Sequence, residues 1–182
     1  MHFTLADLIT DITQNACEAD SGLVELEISE NDREFRFLVR DDGKGMTSEE
    51  MNNAIDPFVT DGVKHPHRKI GLGLPFLIQT AKQSGGGWDA KSEKGKGTTA
   101  SAWFDTGNLD TPPIGDLPGT FRTIFMFDGP QDIIIRRSRR LDGEEALEYE
   151  VRKTELLEAI GDFEDISSLV LLDQYLRSLE EE

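Results

Sequence analysis

Two side chains near the start of the chain, Asp11 and Asn15, stand one helical turn apart in a segment of helical periodicity. An asparagine carbonyl is a neutral oxygen ligand that can hold a magnesium ion while leaving room for phosphate oxygens and water. A carboxylate one turn earlier can take a proton from an attacking nucleophile. Asp41-Asp42-Gly43-Lys44-Gly45 is a second candidate. A carboxylate there can accept a hydrogen bond from an exocyclic amine such as that of adenine, and glycines let a backbone approach a flat ring. Gly71-Leu72-Gly73-Leu74 precedes an apolar segment, and free N–H groups at such a helix start favour phosphate. Lys94-Gly95-Lys96-Gly97-Thr98-Thr99 adds a glycine turn and two hydroxyls, either of which can bond a base or a bound water. Each segment alone also reads as ordinary structure: a solvated helix face, an aspartate–glycine turn, a helix start, a hairpin.

The elements that must position these residues follow from periodicity. Leu5, Leu8, Ile9, Ile12, Ala16 and Ala19 predict an amphipathic helix over residues 4–20, with Asp11, Asn15 and Glu18 on another stripe. Residues 23–29 alternate as a half-buried strand, Asn31-Asp32 turns the chain, and 35–40 predict the next strand. Thr47 and Glu50 form a capping box for a short helix that ends before Pro57. Residues 59–70 read as a loop, and an apolar helix runs from about Pro75 to Ser84 until three glycines stop it. Strands are expected at 88–92 and 98–104. A proline- and glycine-rich break spans 108–119. Residues 120–127 are ambiguous between helix and strand. A hairpin around Asp142-Gly143 joins 132–137 to 146–151, and helices cover 153–160 and 166–180.

Composition narrows the function classes. The 182 residues are 37% hydrophobic and 30% charged, with a net charge of −17. So acidic a surface repels nucleic acid and anionic lipid, so neither is expected as a partner. It also makes ATP an odd guest unless local dipoles and a metal reverse the field at one spot. No apolar run reaches the roughly 20 residues of a membrane span, and no signal peptide is evident, so a cytoplasmic location is expected. The single cysteine, Cys17, excludes an internal disulfide and reads as a small buried filler.

Taken in order, the segments resemble the GHKL (Bergerat-fold) ATPases, the superfamily of gyrase, the chaperones of the same fold, sensor histidine kinases and MutL. Asp11 to Asp20 is similar to the asparagine-bearing box, Asp41-x-Gly43-x-Gly45-Met46 to the adenine box, and Ile55 to Thr60 to the phenylalanine box of histidine kinases. Gly71-Leu72-Gly73-Leu74 resembles the second glycine box, and Gly97-Thr98-Thr99 the last. The resemblance covers residues 3 to about 106 and implies an α+β, two-layer α/β sandwich with a mixed sheet covered by helices. It implies ATP and magnesium as cofactors. Asn15 would be the magnesium ligand and Asp41 the adenine-binding carboxylate. Gly43, Gly45, Met46, Phe58, Lys69, Gly71, Leu72, Gly73, Leu74 and Thr98 or Thr99 would line the nucleotide site. Asp11 stands where hydrolysing members carry glutamate, and its shorter side chain puts rapid hydrolysis in doubt.

The expected organisation is an ATP-binding domain over 1–107 and a C-terminal α+β extension of unknown role over 108–182. With the first box so near Met1, no helical hairpin bearing a phosphoacceptor histidine is expected, and His2, His65 and His67 lack its context. The extension resembles small stand-alone bacterial proteins of this type. The expected function is a magnesium-ATP-binding protein of histidine kinase-like type that phosphorylates a separate protein or slowly hydrolyses ATP. The alternative is a non-catalytic, ATP-gated module whose lid controls a partner. Partners beyond ATP would be a protein substrate or regulator and, through the apolar side of the last helix, a second copy of the chain. The run Arg136, Arg137, Arg139, Arg140 reads as an exposed hairpin edge blunted by charge, with a docking patch as the sharper reading.

Overall fold

A computed structural model describes residues 3–56 and 73–181. The chain begins with α1 (Leu5–Cys17), whose N-cap is Thr4 in a capping box with Asp7. The apolar stripe of α1 is buried at Leu5, Leu8, Ile9, Ile12 and Ala16, while Asp11 and Asn15 are exposed. The helix ends three residues before the expected limit, and Asp20 then takes a positive φ of 57°. β1 (Leu23–Asn31) and β2 (Glu34–Asp41) form an antiparallel pair. Val24, Leu26 and Ile28 of β1 are buried, as are Phe35, Phe37 and Val39 of β2, and the residues between them are more exposed. This period of two is that of a sheet covered on one face.

Next come α2 (Ser48–Ile55), capped by Thr47 and Glu50 as expected, and α3 (Gly73–Gln83). The hairpin β3 (Gly87–Glu93) and β4 (Gly97–Asp105) follows, with β4 antiparallel to β2. A strap from 106 to 116 then passes the start of α1. There the backbone N–H groups of Leu5 and Ala6 donate to the carbonyls of Pro113 and Ile114 at 2.9 and 2.8 Å. The strap thus satisfies helix-start donors that have no partner within the helix.

The ambiguous stretch is helix α4 (Leu117–Phe125), with Asp116 as N-cap and Pro118 in its first turn, where a missing N–H costs nothing. β5 (Asp132–Arg140) and β6 (Leu147–Arg152) form the expected hairpin, and α5 (Lys153–Ile160) and α6 (Ile166–Glu181) close the chain. β5 pairs in parallel with β1, giving one six-stranded mixed sheet in the order β3-β4-β2-β1-β5-β6. The arrangement is α+β, as expected. Phe121, Phe125, Ile133, Ile135, Leu172 and Leu176 join the same buried cluster as Leu5, Leu8 and Phe37.

The arginine run corrects its sequence reading. β5 is an interior strand, so it has no edge to blunt. Arg137 is 2% exposed and bonds Glu30 of β1 and, at 3.1 Å, Glu180 of α6. Arg136 pairs with Glu25, Glu27 and Glu150 at 3.1, 3.3 and 2.7 Å. Both charges are thus met by the protein's own carboxylates, Arg137 in the interior and Arg136 at the surface. Of the apolar side of α6, Leu172 and Leu176 are fully buried, while Ile166, Val170, Leu171 and Tyr175 remain exposed.

Candidate nucleotide site

The C-terminal half of α1, the loop after β2, the start of α3 and the β3–β4 hairpin meet at one end of the sheet. A Cβ built on Gly73, the first residue of α3, would lie 3.3 Å from Asn15 Nδ2 and 3.9 Å from Asp11 Cβ. Helix α3 therefore starts against the stripe of α1 that carries both polar groups. Its neighbour Leu74 is half-buried and packs on the core, which anchors the helix start. Gly71, Leu72, Phe58 and Lys69 lie outside the described residues, as do His2, Lys64, His65, His67 and Arg68.

Asp41, the last residue of β2, is 7% exposed. Its Oδ1 accepts from the Gly43 N–H at 2.9 Å, and its carboxylate also accepts from the Thr98 N–H. Burial pushes its pKa above the usual carboxylate range, those two N–H groups oppose the rise, and neighbouring Asp42 adds to it. These two bonds take only part of the lone-pair capacity of an ionised carboxylate. Asp42 does different work: its Oδ1 accepts from the N–H groups of Gly22 and Leu23 at 2.8 and 3.0 Å, pinning the start of β1.

The glycines of this loop answer to the protein's own backbone. A Cβ on Gly43 would run into the Ala19 carbonyl, and one on Gly45, whose φ is +61°, into the Glu93 carbonyl. The Lys44 N–H donates to Ala19 O at 2.8 Å and the Gly95 N–H to Lys44 O at 2.7 Å. The loop is thus clamped between Ala19, just past the end of α1, and the hairpin, and the close approaches at Gly43 and Gly45 leave no room for a Cβ.

Strand register separates the two threonines. Thr98 stands opposite Asp41 and Thr99 opposite Arg40. Successive residues of a strand face opposite sides of a sheet, so Thr98 shares the face of Asp41 and Thr99 lies on the other. The structure brings Thr98, Met46, Asp41, Gly43 and Gly45 together, and Asp11, Asn15 and Gly73 together; it does not bring Thr99 to them. It also adds a residue the sequence reading passed over. Ser92 Oγ accepts from the Met46 N–H at 2.8 Å and lies 2.7 Å from Thr98 Oγ1. The signal was the turn itself: pairing Glu93 with Gly97 sets Ser92 opposite Thr98.

Cys17 is 3% exposed, and burial pushes its thiol pKa up to about 12, as befits an inert filler. Among the described residues no group of three His, Cys, Asp or Glu side chains is placed to hold a metal ion. No helix among the described residues is long and apolar enough to cross a membrane.

Residues 3–108 match the family described as histidine kinase-, DNA gyrase B- and HSP90-like ATPase. The chain belongs to this family. Membership carries ATP binding in a histidine kinase-like fold. Among curated proteins, the sensor histidine kinase ZraS of Escherichia coli (strain K12) is 26% identical over 113 residues, 61% of this chain and 23% of that protein. The sensor protein SrrB of Staphylococcus aureus (strain NCTC 8325 / PS 47) is 31% identical over 96 residues, 50% of this chain and 16% of that protein. The chain therefore spans less than a quarter of the length of these relatives.

Proposed function

We propose that this member of the ATPase family transfers the γ-phosphoryl group of ATP, slowly to water or to a side chain of a separate protein. The observation that carries this reading is the meeting of Gly73 with Asn15 and Asp11. It sets a helix start, a neutral metal-ligating amide and a carboxylate in one place, and phosphoryl transfer is mostly positioning and charge stabilisation. Asp41, with Thr98 beside it, would hold the adenine amine. The N–H groups at the start of α3 would face the phosphates, where helix-end donors favour negative charge. Asn15 Oδ1 would hold magnesium, which when bound neutralises charge on the phosphate oxygens. Asp11 would accept the proton of the attacking hydroxyl or water.

Its side chain is one methylene shorter than glutamate. This favours a second reading, in which ATP is held without turnover and its binding orders the chain against a regulatory partner. Calorimetric ATP affinity and phosphate release, measured on wild type and Asp11→Asn, separate the two. Release that drops at least about tenfold with unchanged affinity supports transfer with Asp11 as base. Release equal in both proteins removes Asp11 from that role, and binding with no release excludes transfer to water.

A further inference from the structure

Ser92 joins two parts of the nucleotide site that are far apart in sequence. It lies half-buried on the edge strand β3, on the same face as Thr98, its partner across the hairpin. Three polar groups surround its hydroxyl: the Met46 N–H at 2.8 Å, Thr98 Oγ1 at 2.7 Å and the Gly97 carbonyl at 3.1 Å. A hydroxyl has one proton to give and two lone pairs to receive. The Met46 N–H can only donate and the Gly97 carbonyl can only accept. All three contacts are hydrogen bonds at once in one arrangement only. Ser92 donates to Gly97 O, accepts from the Met46 N–H and accepts from the Thr98 hydroxyl.

That arrangement has a chemical consequence at Thr98. Its proton is spent on Ser92, so its oxygen offers the pocket lone pairs alone. Asp41, opposite it on β2, offers a carboxylate. This end of the pocket then presents acceptors only, the complement of an amine and a repellent to a carbonyl. We propose that Ser92 is a specificity-positioning residue, which by taking the Thr98 proton makes the site select a purine bearing an exocyclic amine over one bearing a carbonyl at the same place. The proposal rests on ATP occupying this site with its base at Asp41. Ser92 touches no ligand in this scheme and acts through Thr98 and the Met46 backbone.

Without the Ser92 oxygen, the Thr98 hydroxyl rotates and can donate to a carbonyl, so discrimination falls. A residue that only braced the loop would weaken every nucleotide alike and leave discrimination intact. The test is calorimetric affinity for ATP and for inosine triphosphate, in which a carbonyl replaces the exocyclic amine and ring N1 carries a proton, in wild type, Ser92→Ala and Ser92→Thr. The expected result is a preference for ATP in wild type, reduced roughly tenfold in Ser92→Ala and restored in Ser92→Thr. An unchanged preference in a Ser92→Ala protein that still binds ATP overturns the proposal and leaves ATP binding standing. A wild type that binds neither nucleotide overturns the reading of the site itself. If Ser92→Ala does not fold, Ser92→Cys, close in volume and weak as a hydrogen-bonding group, gives the same comparison, with the same loss of preference expected.

Discussion

Asp41 carries opposite demands from folding and from binding. Burial penalises its ionised form, and its pKa rises in consequence. A carboxyl whose pKa is higher folded than unfolded holds its proton more tightly in the native state. Its contribution therefore disfavours the fold above that raised pKa and is relieved as pH falls through it. Binding runs the other way, because only the ionised carboxylate is an acceptor at both oxygens. ATP affinity should fall on acidification, beginning at a higher pH than an ordinary aspartate would give. Asp41→Asn should bind ATP roughly ten- to a hundredfold more weakly, with the pH dependence at that point gone. Calorimetry across a pH series checks both. Equal affinities and equal pH profiles in the two proteins would remove Asp41 from the site. Asp41, Asn15 and Gly73 were legible in the sequence because helix spacing and a strand end expose them locally. The choice of Thr98 over Thr99 was not, since it turns on a one-residue register that only the β2–β4 pairing decides. For Ser92 the turn gave away its place opposite Thr98, but not its bond to Met46, 46 residues away.

At the scale of elements, the local periods gave nearly every helix and strand, since each rests on a stripe or an alternation within its own segment. What they could not give is which strand lies beside which. The arginines of β5 look like an edge device in sequence, yet β5 runs between β1 and β6. Its place follows from Ile133 and Ile135, which continue the buried face of Val24 and Leu26, and from distant carboxylates that receive Arg137. The Arg137 side chain, 1% exposed, is shared by Glu30 on β1 and Glu180 on α6. Tyr149 of β6 donates to the same Glu180 at 2.6 Å, and burial together with that carboxylate pushes its phenol pKa up. The cluster thus ties the last helix to strands β1, β5 and β6. Removing one partner of a buried ion pair leaves the others uncompensated, which costs about 3–5 kcal/mol. Arg137→Ala should lose that much in chemical denaturation, whereas a comparable change at exposed Arg140 should stay within about 0.5 kcal/mol. A neutral Arg137→Ala would mean that the other contacts of α6, among them Leu172, Leu176 and the Arg122–Asp173 pair, hold it without this cluster.

For the molecule as a whole, the governing number is the charge of −17, from 36 acidic and 19 basic side chains. Many of the basic groups are already paired, among them Arg136, Arg137, Arg177 and Lys94. The long-range field is therefore negative, and like charges on a compact body repel. Salt at about 0.1 M screens charges beyond roughly 10 Å, while paired and buried charges feel it less. Added sodium chloride should then raise the melting temperature, because the repulsion it relieves exceeds the exposed pairs it weakens. The same field opposes the arrival of ATP, itself an anion. Its association rate, followed by stopped flow with a fluorescent analogue, should rise with ionic strength. Nucleotide sites set in a basic surface show the reverse slope. A rate that falls with salt would mean that the helix ends and lysines around the site outweigh the net charge at the range where encounter is decided. In that case the steering field is local, and the acidity elsewhere has no bearing on how this protein meets its nucleotide.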